Sequence, residues 1–159
     1  MTILGAAGTD AVSVDAAGTG AARAGAAGAG AVGTPAGWTR ICRVDDLLVE
    51  RGAAALVGDR QIALFRTFDG RLFATDQIDP YSGAAVLSRG IVGDRAGVPT
   101  VASPMYKQVF DLRTGACLDT QGKDPLGVRV HPVAVTDGDV FVRIAPAAPA
   151  ADGAEGDPR

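Results

Sequence analysis

Two Asp-Gly dipeptides constrain the fold of this chain more than any other feature. Asp69-Gly70 separates "RTF" from "RLFAT", and Asp137-Gly138 separates "VAVT" from "DVFVRI". Asp-Gly favours the positive φ angles of a two-residue hairpin turn, and the flanking segments are rich in β-branched and aromatic residues. The sequence therefore predicts two β-hairpins, one in the middle of the chain and one near its end.

Other segments between residues 38 and 144 also have the short, apolar character of β-strands. "WTRICRV", "AAALV" and "RQIALFRTF" are separated by turn residues, and a third hairpin joins "QVFDL" to "ACL" with Gly115 at a positive φ angle. "DDLLVERG" predicts one short helical turn capped by Asp45 or Asp46. Residues 76–104, rich in Gly, Pro and Asp, predict a long irregular loop. The expected fold is an all-β antiparallel sandwich or small barrel.

The two ends of the chain differ in composition from its middle. Residues 1–37 contain 13 Ala and 9 Gly and no aromatic residue, and residues 145–159 are dominated by Ala, Pro and acidic residues. Neither end offers enough apolar surface to offset the entropy of ordering. We therefore expect a disordered N-terminal tail at 1–37, one domain at 38–144 and a disordered acidic tail at 145–159.

Charge and hydropathy exclude several classes of protein. Residues 38–144 carry 13 Lys and Arg against 13 Asp and Glu, so no basic excess points to a nucleic acid. No apolar run approaches the roughly 18 residues of a membrane span. Asp10 and Asp15 interrupt what would be the apolar stretch of a secretory signal. The expected location is the cytoplasm, with no membrane or nucleic-acid partner.

The reactive side chains of this sequence do not form a recognisable catalytic or phosphate-binding motif. Cys42 and Cys117 lie far apart, without a nearby His or a Cys-x-x-Cys spacing, and are expected as free thiols. The single histidine, His131, precedes a proline in an alternating strand and is expected to be structural. "GDRQIALFR" and "SRGIVGDRAG" contain Gly and Arg but do not open a helix, which a phosphate-binding loop of this kind requires.

Two stretches, "IDPYSGAAVLSRG" at 78–90 and "ASPMYKQVFDL" at 102–112, together resemble the two-loop pattern of Rieske-type domains. Each loop of that pattern supplies one Cys and one His to a [2Fe-2S] cluster. Here the pattern keeps its Pro, Gly-Ala and Phe-Asp-Leu residues but loses all its ligands. The cysteine positions hold Asp79 and Ser103, and the histidine positions hold Tyr81 and Tyr106.

The oxygen-bearing side chains at these four positions do not suit the coordination of an iron–sulfur cluster or of tetrahedral zinc. The resemblance therefore implies a Rieske-like antiparallel β-sandwich or barrel without the cluster ligands, and no metal on this chain. A hard-cation site built from Asp76, Asp79 and Asp94 remains an alternative. We expect Tyr81 and Tyr106 to fill the space of the cluster, packing toward one another or onto the opposite loop.

More specifically, the chain resembles the small subunits of the assimilatory NAD(P)H-dependent nitrite reductases. The match is carried by Trp38, "QIALFR", "DPYSGAAVLSRGIVGD", "SPMYKQVFDLRTG" and "HPVAVTDGDVFVRI", which span nearly all of 38–144. The resemblance implies a subunit of an oxidoreductase without catalytic residues of its own. It also implies that a large subunit carries FAD, siroheme and an iron–sulfur cluster and uses NAD(P)H to reduce nitrite to ammonium in nitrate assimilation.

Binding to that large subunit is the role that the resemblance implies for this chain. The loop tips are the expected docking surface, because the corresponding tips of cluster-bearing relatives face a partner. These tips carry Tyr81, Ser82, Arg89 and Lys107, and Tyr and Arg are enriched among residues that dominate binding energy. The alternative is a free-standing, cluster-free Rieske-like module that serves another oxidoreductase, since the fold is the same in both cases. An electron-carrying ferredoxin is opposed by the missing ligands.

Overall fold

The structure is a computed structural model, and it describes residues 22–23 and 36–144. The predicted tail at 145–159 lies outside the described residues, and so does the tail at 1–37 apart from residues 22–23, 36 and 37. A short 3₁₀ helix, Leu87–Arg89, is described together with the following strands. They are β1 (Ala22–Arg23), β2 (Trp38–Arg43), β3 (Arg51–Val57), β4 (Arg60–Arg66), β5 (Leu72–Asp76), β6 (Ile91–Arg95), β7 (Val98–Ala102), β8 (Val109–Asp111), β9 (Cys117–Asp119), β10 (Val130–His131), β11 (Val133–Thr136) and β12 (Asp139–Arg143).

These strands form three sheets, with the orders β1-β3-β4-β5-β10, β11-β12-β2 and β6-β7-β8-β9. All pairings are antiparallel except the two-residue pairing of β1 with β3. The prediction of an all-β, antiparallel fold is therefore confirmed. Among the residues that the structure describes, no helix is long and apolar enough to cross a membrane.

Strand β4 lies between two hydrophobic cores. Successive side chains of a strand point to opposite faces, so Ile62 and Leu64 enter one core while Ala63 and Phe65 enter the other, and all four are fully buried. The first core contains Ile41, Cys42, Leu47, Ala55, Ile62, Leu64, Leu72, Ala74, Val140 and Val142. The second core contains Ala63, Phe65, Leu87, Val92, Val101, Phe110, Leu112 and Val128.

The two predicted hairpins both exist, but their turns differ. Thr136 pairs with Asp139, and Asp137 and Gly138 have φ angles of 52° and 81°, which confirms the two-residue turn. Around Asp69, strand pairing ends before residues 67–71, so the loop is longer than predicted. The Asp69 carboxylate explains the difference, because it accepts hydrogen bonds from the hydroxyl of Thr67 (2.5 Å) and the guanidinium of Arg71 (2.6 Å).

The prediction of a long irregular loop at 76–104 is wrong. The region contains the 3₁₀ helix and a hairpin of β6 with β7, whose turn residues Ala96 and Gly97 have φ angles of 52° and 83°. An alanine in a left-handed turn, with Gly93 and Pro99 inside the strands, hid the strand pattern from sequence reasoning.

The short helical turn predicted for "DDLLVERG" is also wrong. The segment forms two successive turns, with hydrogen bonds from Asp46 N–H to Arg43 O and from Leu47 N–H to Val44 O. The Asp46 carboxylate accepts the N–H of the preceding Arg43 at 2.8 Å. Because an N-cap carboxylate accepts N–H groups that follow it, Asp46 closes a turn here and does not start a helix.

Gly115 is required where the β8–β9 turn meets the chain that leads to β10. Its φ angle is 77°, which confirms the predicted positive value, and its carbonyl accepts the N–H of Val128 at 2.9 Å. A Cβ atom at residue 115 would lie 1.8 Å from the carbonyl oxygen of Val128. Only glycine fits this approach, which carries Val128 into the second core.

Candidate functional site

The first loop of the two-loop pattern is a closed turn over residues 79–84. The N–H of Asp79 donates to the carbonyl of Ala84 at 2.8 Å, and the N–H of Gly83 donates back to the carbonyl of Asp79 at 2.8 Å. Gly83 has a φ angle of 70°. Asp79 is therefore the first residue of a turn that its own backbone groups hold closed.

The second loop, residues 103–108, repeats this construction. The N–H of Ser103 donates to the carbonyl of Gln108 at 2.8 Å, and the N–H of Lys107 donates to the carbonyl of Ser103 at 3.2 Å. Lys107 has a φ angle of 65°, at the position that corresponds to Gly83 in the first loop. The two positions that held cysteine in the pattern are thus equivalent, each being the first residue of a closed turn.

Asp79 and Ser103 bind each other directly. Both side chains are fully buried, and the hydroxyl of Ser103 donates to Oδ2 of Asp79 at 2.5 Å. Oδ1 of Asp79 accepts the N–H of Tyr81 at 2.9 Å, and the Ser103 hydroxyl oxygen accepts the N–H of Met105 at 3.1 Å. The polar atoms of the pair are satisfied as buried polar groups require, and the two loops are joined by a hydrogen bond.

Tyr81 connects the first loop to a third segment of the chain, residues 123–126. Its ring lies 6.1 Å from the ring of Phe110, which is within the range of aromatic contacts. Its hydroxyl donates to the carbonyl of Asp124 and accepts the N–H of Leu126, both at 2.9 Å. Burial and the adjacent Cys117 thiol raise the pKa of Tyr81, so the phenol stays protonated and keeps both bonds.

Tyr106 contacts the same segment from the second loop but remains half exposed. The ammonium group of Lys123 lies 4.1 Å from the centre of its ring, and 47% of Tyr106 is accessible to solvent. The packing expected for the two tyrosines is therefore confirmed for Tyr81, which reaches the strand that follows the second loop. It is wrong for Tyr106, which stays at the surface.

The donor set of the two loops does not fit a [2Fe-2S] cluster. Such a cluster requires thiolates, or thiolates and imidazoles, at its irons. The four pattern positions carry a carboxylate, a hydroxyl and two phenols, and the carboxylate and hydroxyl are already bonded to each other. Within the described residues, His, Cys, Asp and Glu side chains form no group of three that could hold a metal ion.

The alternative hard-cation site is not assembled. The Asp76 carboxylate accepts a hydrogen bond from Nε2 of His131 at 2.8 Å, while the Asp94 carboxylate accepts the N–H of Gly97 at 2.8 Å. Asp79 is held in the bond to the second loop. The three carboxylates therefore serve three separate parts of the fold.

A buried contact that sequence reasoning missed fastens the first loop to the 3₁₀ helix. The amide of Gln77 donates to the hydroxyl of Ser88 at 2.8 Å and to the carbonyl of Ala85 at 3.2 Å. In return, the N–H of Ser88 donates to Oε1 of Gln77 at 2.9 Å. A single glutamine after a strand carries no sequence signal for this role, because its partner lies 11 residues further along the chain.

The remaining predicted docking residues are near the surface. Ser82 is half-buried, and its hydroxyl accepts the N–H of Ala84 at 3.3 Å. Arg89 ends the 3₁₀ helix and is exposed, as is Lys107 in the second loop. The Ser82 bond is local, whereas the Tyr81 hydroxyl bonds to the distant segment 123–126.

His131 and the cysteines have structural surroundings. The His131 ring is buried and lies 2.8 Å from Asp76, and its burial lowers its pKa despite that carboxylate. Both thiols are free; burial raises the pKa of Cys42 to about 12, while Cys117 lies beside Tyr81 and is partly exposed. The high pKa of Cys42 opposes a nucleophilic role, since the thiolate is the reactive form.

Comparison with known proteins agrees with the sequence pattern and the fold. The sequence matches the Rieske-like [2Fe-2S] domain family over residues 37–143. It is 40% identical to the nitrite reductase (NADH) small subunit of Escherichia coli (strain K12) over 107 residues, which are 67% of this chain and 96% of that protein. It is also 45% identical, over 105 residues, to part of the nitrite reductase [NAD(P)H] large subunit of Klebsiella oxytoca, covering 66% of this chain and 11% of that protein.

A solved structure shows the same similarity at the level of the fold. The crystal structure assigned as the NADH-dependent nitrite reductase small subunit of Mycobacterium tuberculosis is 49% identical to this chain, with a TM-score of 0.62. It corresponds to 69% of this chain and 96% of that one. By sequence and by fold, the chain belongs to the family of nitrite reductase small subunits, within the Rieske-like [2Fe-2S] domain family.

Proposed function

We propose that this chain is the non-catalytic small subunit of an NAD(P)H-dependent nitrite reductase and acts by binding the large catalytic subunit. One observation carries the proposal. The same unit is a separate small subunit in Escherichia coli and part of the large-subunit chain in Klebsiella oxytoca. A domain that occurs both beside and within the catalytic chain is expected to work in contact with it.

In this proposal, the reduction of nitrite to ammonium takes place on the large subunit. FAD, siroheme and an iron–sulfur cluster would reside there and transfer electrons from NAD(P)H. This chain contributes a binding surface, because its loops offer oxygen donors that are engaged with one another and do not suit a cluster. The complex would operate in the cytoplasm as part of nitrate assimilation.

The test is co-expression of this chain with the large subunit of the same organism. We expect a stable complex, and we expect nitrite-dependent oxidation of NAD(P)H, with ammonium formed, to be higher in the complex than in the large subunit alone. This chain alone should show no such activity. A large subunit that neither binds this chain nor responds to it would overturn the proposal and favour a module of another oxidoreductase.

The docking and domain predictions are tested by the same co-purification. Tyr81→Ala and Arg89→Ala should weaken the complex, whereas Asp137→Lys, at the far hairpin, should not. Deletion of residues 1–36 should leave assembly intact if 38–144 is the functional unit, because the deleted residues lack apolar anchors. Loss of the complex only in the Asp137 variant would place the interface at the other end of the domain.

A further inference from the structure

We infer that five residues, Met105, Tyr106, Lys107, Lys123 and Leu126, form the centre of the docking surface for the large subunit. They come from the second loop and from segment 123–126, which the Tyr106–Lys123 contact brings together. The partner surface would be apolar at its centre, with carboxylates placed opposite the two lysines. This inference rests on the proposed function and specifies which part of the chain performs it.

Three of the exposed large apolar side chains in the described part of the chain belong to this surface. Met105, Tyr106 and Leu126 are 47%, 47% and 45% accessible to solvent although each is large and apolar or aromatic. Scattered exposed apolar residues are ordinary, but an apolar patch bordered by charge is typical of a protein interface. Tyrosine is also among the residues that dominate binding energy when an interface buries them.

The two lysines of the docking surface have no acidic partner in the described part of the chain. The ion pairs there involve Arg40, Arg43, Arg71, Arg95, Arg113, Arg129 and His131, and neither Lys107 nor Lys123 takes part in one. Lys123 lies against the Tyr106 ring, which attracts the cation but carries no opposite net charge. Two unpaired cations beside apolar side chains complement a partner surface that carries carboxylates.

The backbone at Lys107 supplies an independent argument. Its φ angle of 65° is one that glycine adopts freely and other L-residues adopt at a cost in conformational energy. The first loop has glycine at the corresponding position, Gly83, with a φ angle of 70°. Lys107 is one of five non-glycine residues with a positive φ angle in the described part of the chain, and in our proposal its side chain is kept there for contact with the partner.

The docking surface is also held in shape from below. The Asp79–Ser103 bond fixes the start of the second loop, and the Ser103 hydroxyl fixes Met105 through its N–H. The Tyr81 hydroxyl fixes segment 123–126 through its bonds to Asp124 and Leu126. A surface that is rigid before binding loses less entropy when it docks. Tyr81 is thus a positioning residue beneath the interface.

The decisive variant is Lys107→Gly, measured in the full-length chain. It should leave the thermal midpoint of this chain unchanged or higher, because the left-handed backbone is relieved, and weaken its affinity for the large subunit at least tenfold. Lys123→Glu and Tyr106→Ala should weaken binding similarly. The salt dependence of binding should be steeper for the wild-type chain than for the Lys107→Gly, Lys123→Glu double variant.

Two matched controls lie elsewhere on the surface. Arg143→Glu reverses a cation that also stacks on a ring, that of Trp38 at 5.3 Å, and Phe68→Ala removes an aromatic side chain that is 68% exposed. Neither should change the affinity. Normal binding by Lys107→Gly and Lys123→Glu, or loss of binding in a control alone, would overturn the docking surface while leaving the proposed function intact. Absence of binding by the wild-type chain would instead refute the proposed function.

Discussion

The two hydrophobic cores and the two loops above them are stabilised by different kinds of interaction. The first core joins five strands through aliphatic side chains, with Ile62 and Leu64 fully buried on β4. The loops at 79–84 and 103–108 are held by directed hydrogen bonds, with a buried carboxylate and a buried hydroxyl where the family pattern has two thiolates. Metal coordination is directional, and here it is replaced by other directional bonds.

This difference predicts how the two regions respond to change. The core depends on volume and apolar area, so it tolerates substitutions of similar size. The loops depend on particular donors and acceptors, so removing one atom leaves its partner buried without a bond. Mutations should therefore separate the regions by the kind of substitution each one tolerates.

The largest effect is expected in the first core. Leu64→Ala removes a fully buried side chain and should lower the free energy of unfolding by about 2–5 kcal/mol. Leu56→Ala, on the neighbouring strand but 41% exposed, is the control and should cost under about 1 kcal/mol. Denaturant unfolding of both variants measures the difference, and equal losses would contradict the assigned burial.

A somewhat smaller effect is expected from Asp79→Ala in the first loop. The change leaves the Ser103 hydroxyl and the Tyr81 N–H without an acceptor and should lower the free energy of unfolding by about 3 kcal/mol. Asp94→Ala is the control, since Asp94 is exposed and accepts one N–H in a turn.

The bond between the loops is isolated by a double-mutant cycle. Asp79→Ala leaves the Ser103 hydroxyl without its acceptor, and Ser103→Ala removes that hydroxyl. The double variant should therefore lose less stability than the sum of the losses in the two single variants. Strict additivity, within the error of the unfolding measurement, would show that the two loops are not coupled through this pair.

A third, smaller effect concerns pH. Burial lowers the pKa of His131 in the folded chain below its ordinary value of about 6.5. The unfolded chain therefore binds the extra proton first, and stability falls as pH drops from about 6.5 towards the lowered pKa, by at most about 1.4 kcal/mol per pH unit. Above pH 7 the His131 ring is neutral in both the folded and the unfolded chain, so its contribution to the free energy of unfolding is constant.

Comparison of the wild-type chain with the His131→Gln variant tests whether His131 causes this dependence on pH. The difference in free energy of unfolding between the wild-type chain and the variant should change between pH 6.5 and pH 5 and be flat above pH 7. The carboxylates whose pKa values are lowered, such as Asp111 beside Arg113, titrate at lower pH and do not interfere. A flat difference across the whole range would mean that His131 is not buried as a neutral ring.

The smallest effect on stability is expected from the cysteines, which differ instead in reactivity. Cys42 belongs to the first core and its pKa is raised to about 12 by burial, so its thiol should resist iodoacetamide at pH 8. Cys117 is partly exposed beside the loops and should react first. Mass spectrometry should find one modification in the wild-type chain and none in Cys117→Ser. Faster labelling of Cys42 would contradict the comparison.

Local signals were sufficient for much of the fold. The strands at 38–43 and 60–66, the Asp137-Gly138 turn and the positive φ angle at Gly115 depend on residues close together in the chain, and these predictions are confirmed. The hairpin at 91–102 was missed because its turn uses Ala96 and Gly97 and one strand contains Pro99. Turn chemistry that departs from the common dipeptides leaves no pattern for sequence reasoning to detect.

The sequence by itself determined the residue types: oxygen donors at the four pattern positions, and therefore a loop pair unsuited to a [2Fe-2S] cluster. Only the tertiary structure decided how those residues are used. The Asp79–Ser103 bond joins residues 24 apart, and the bond from the Leu126 N–H to the Tyr81 hydroxyl joins residues 45 apart. The two tyrosines, which occupy equivalent positions in the sequence pattern, differ in the structure. Tyr81 is a partly buried support because its ring meets Phe110, and Tyr106 is an exposed contact because its ring meets Lys123. Such contacts depend on which strands pair and at what register, and the type of a residue alone gives no information about either.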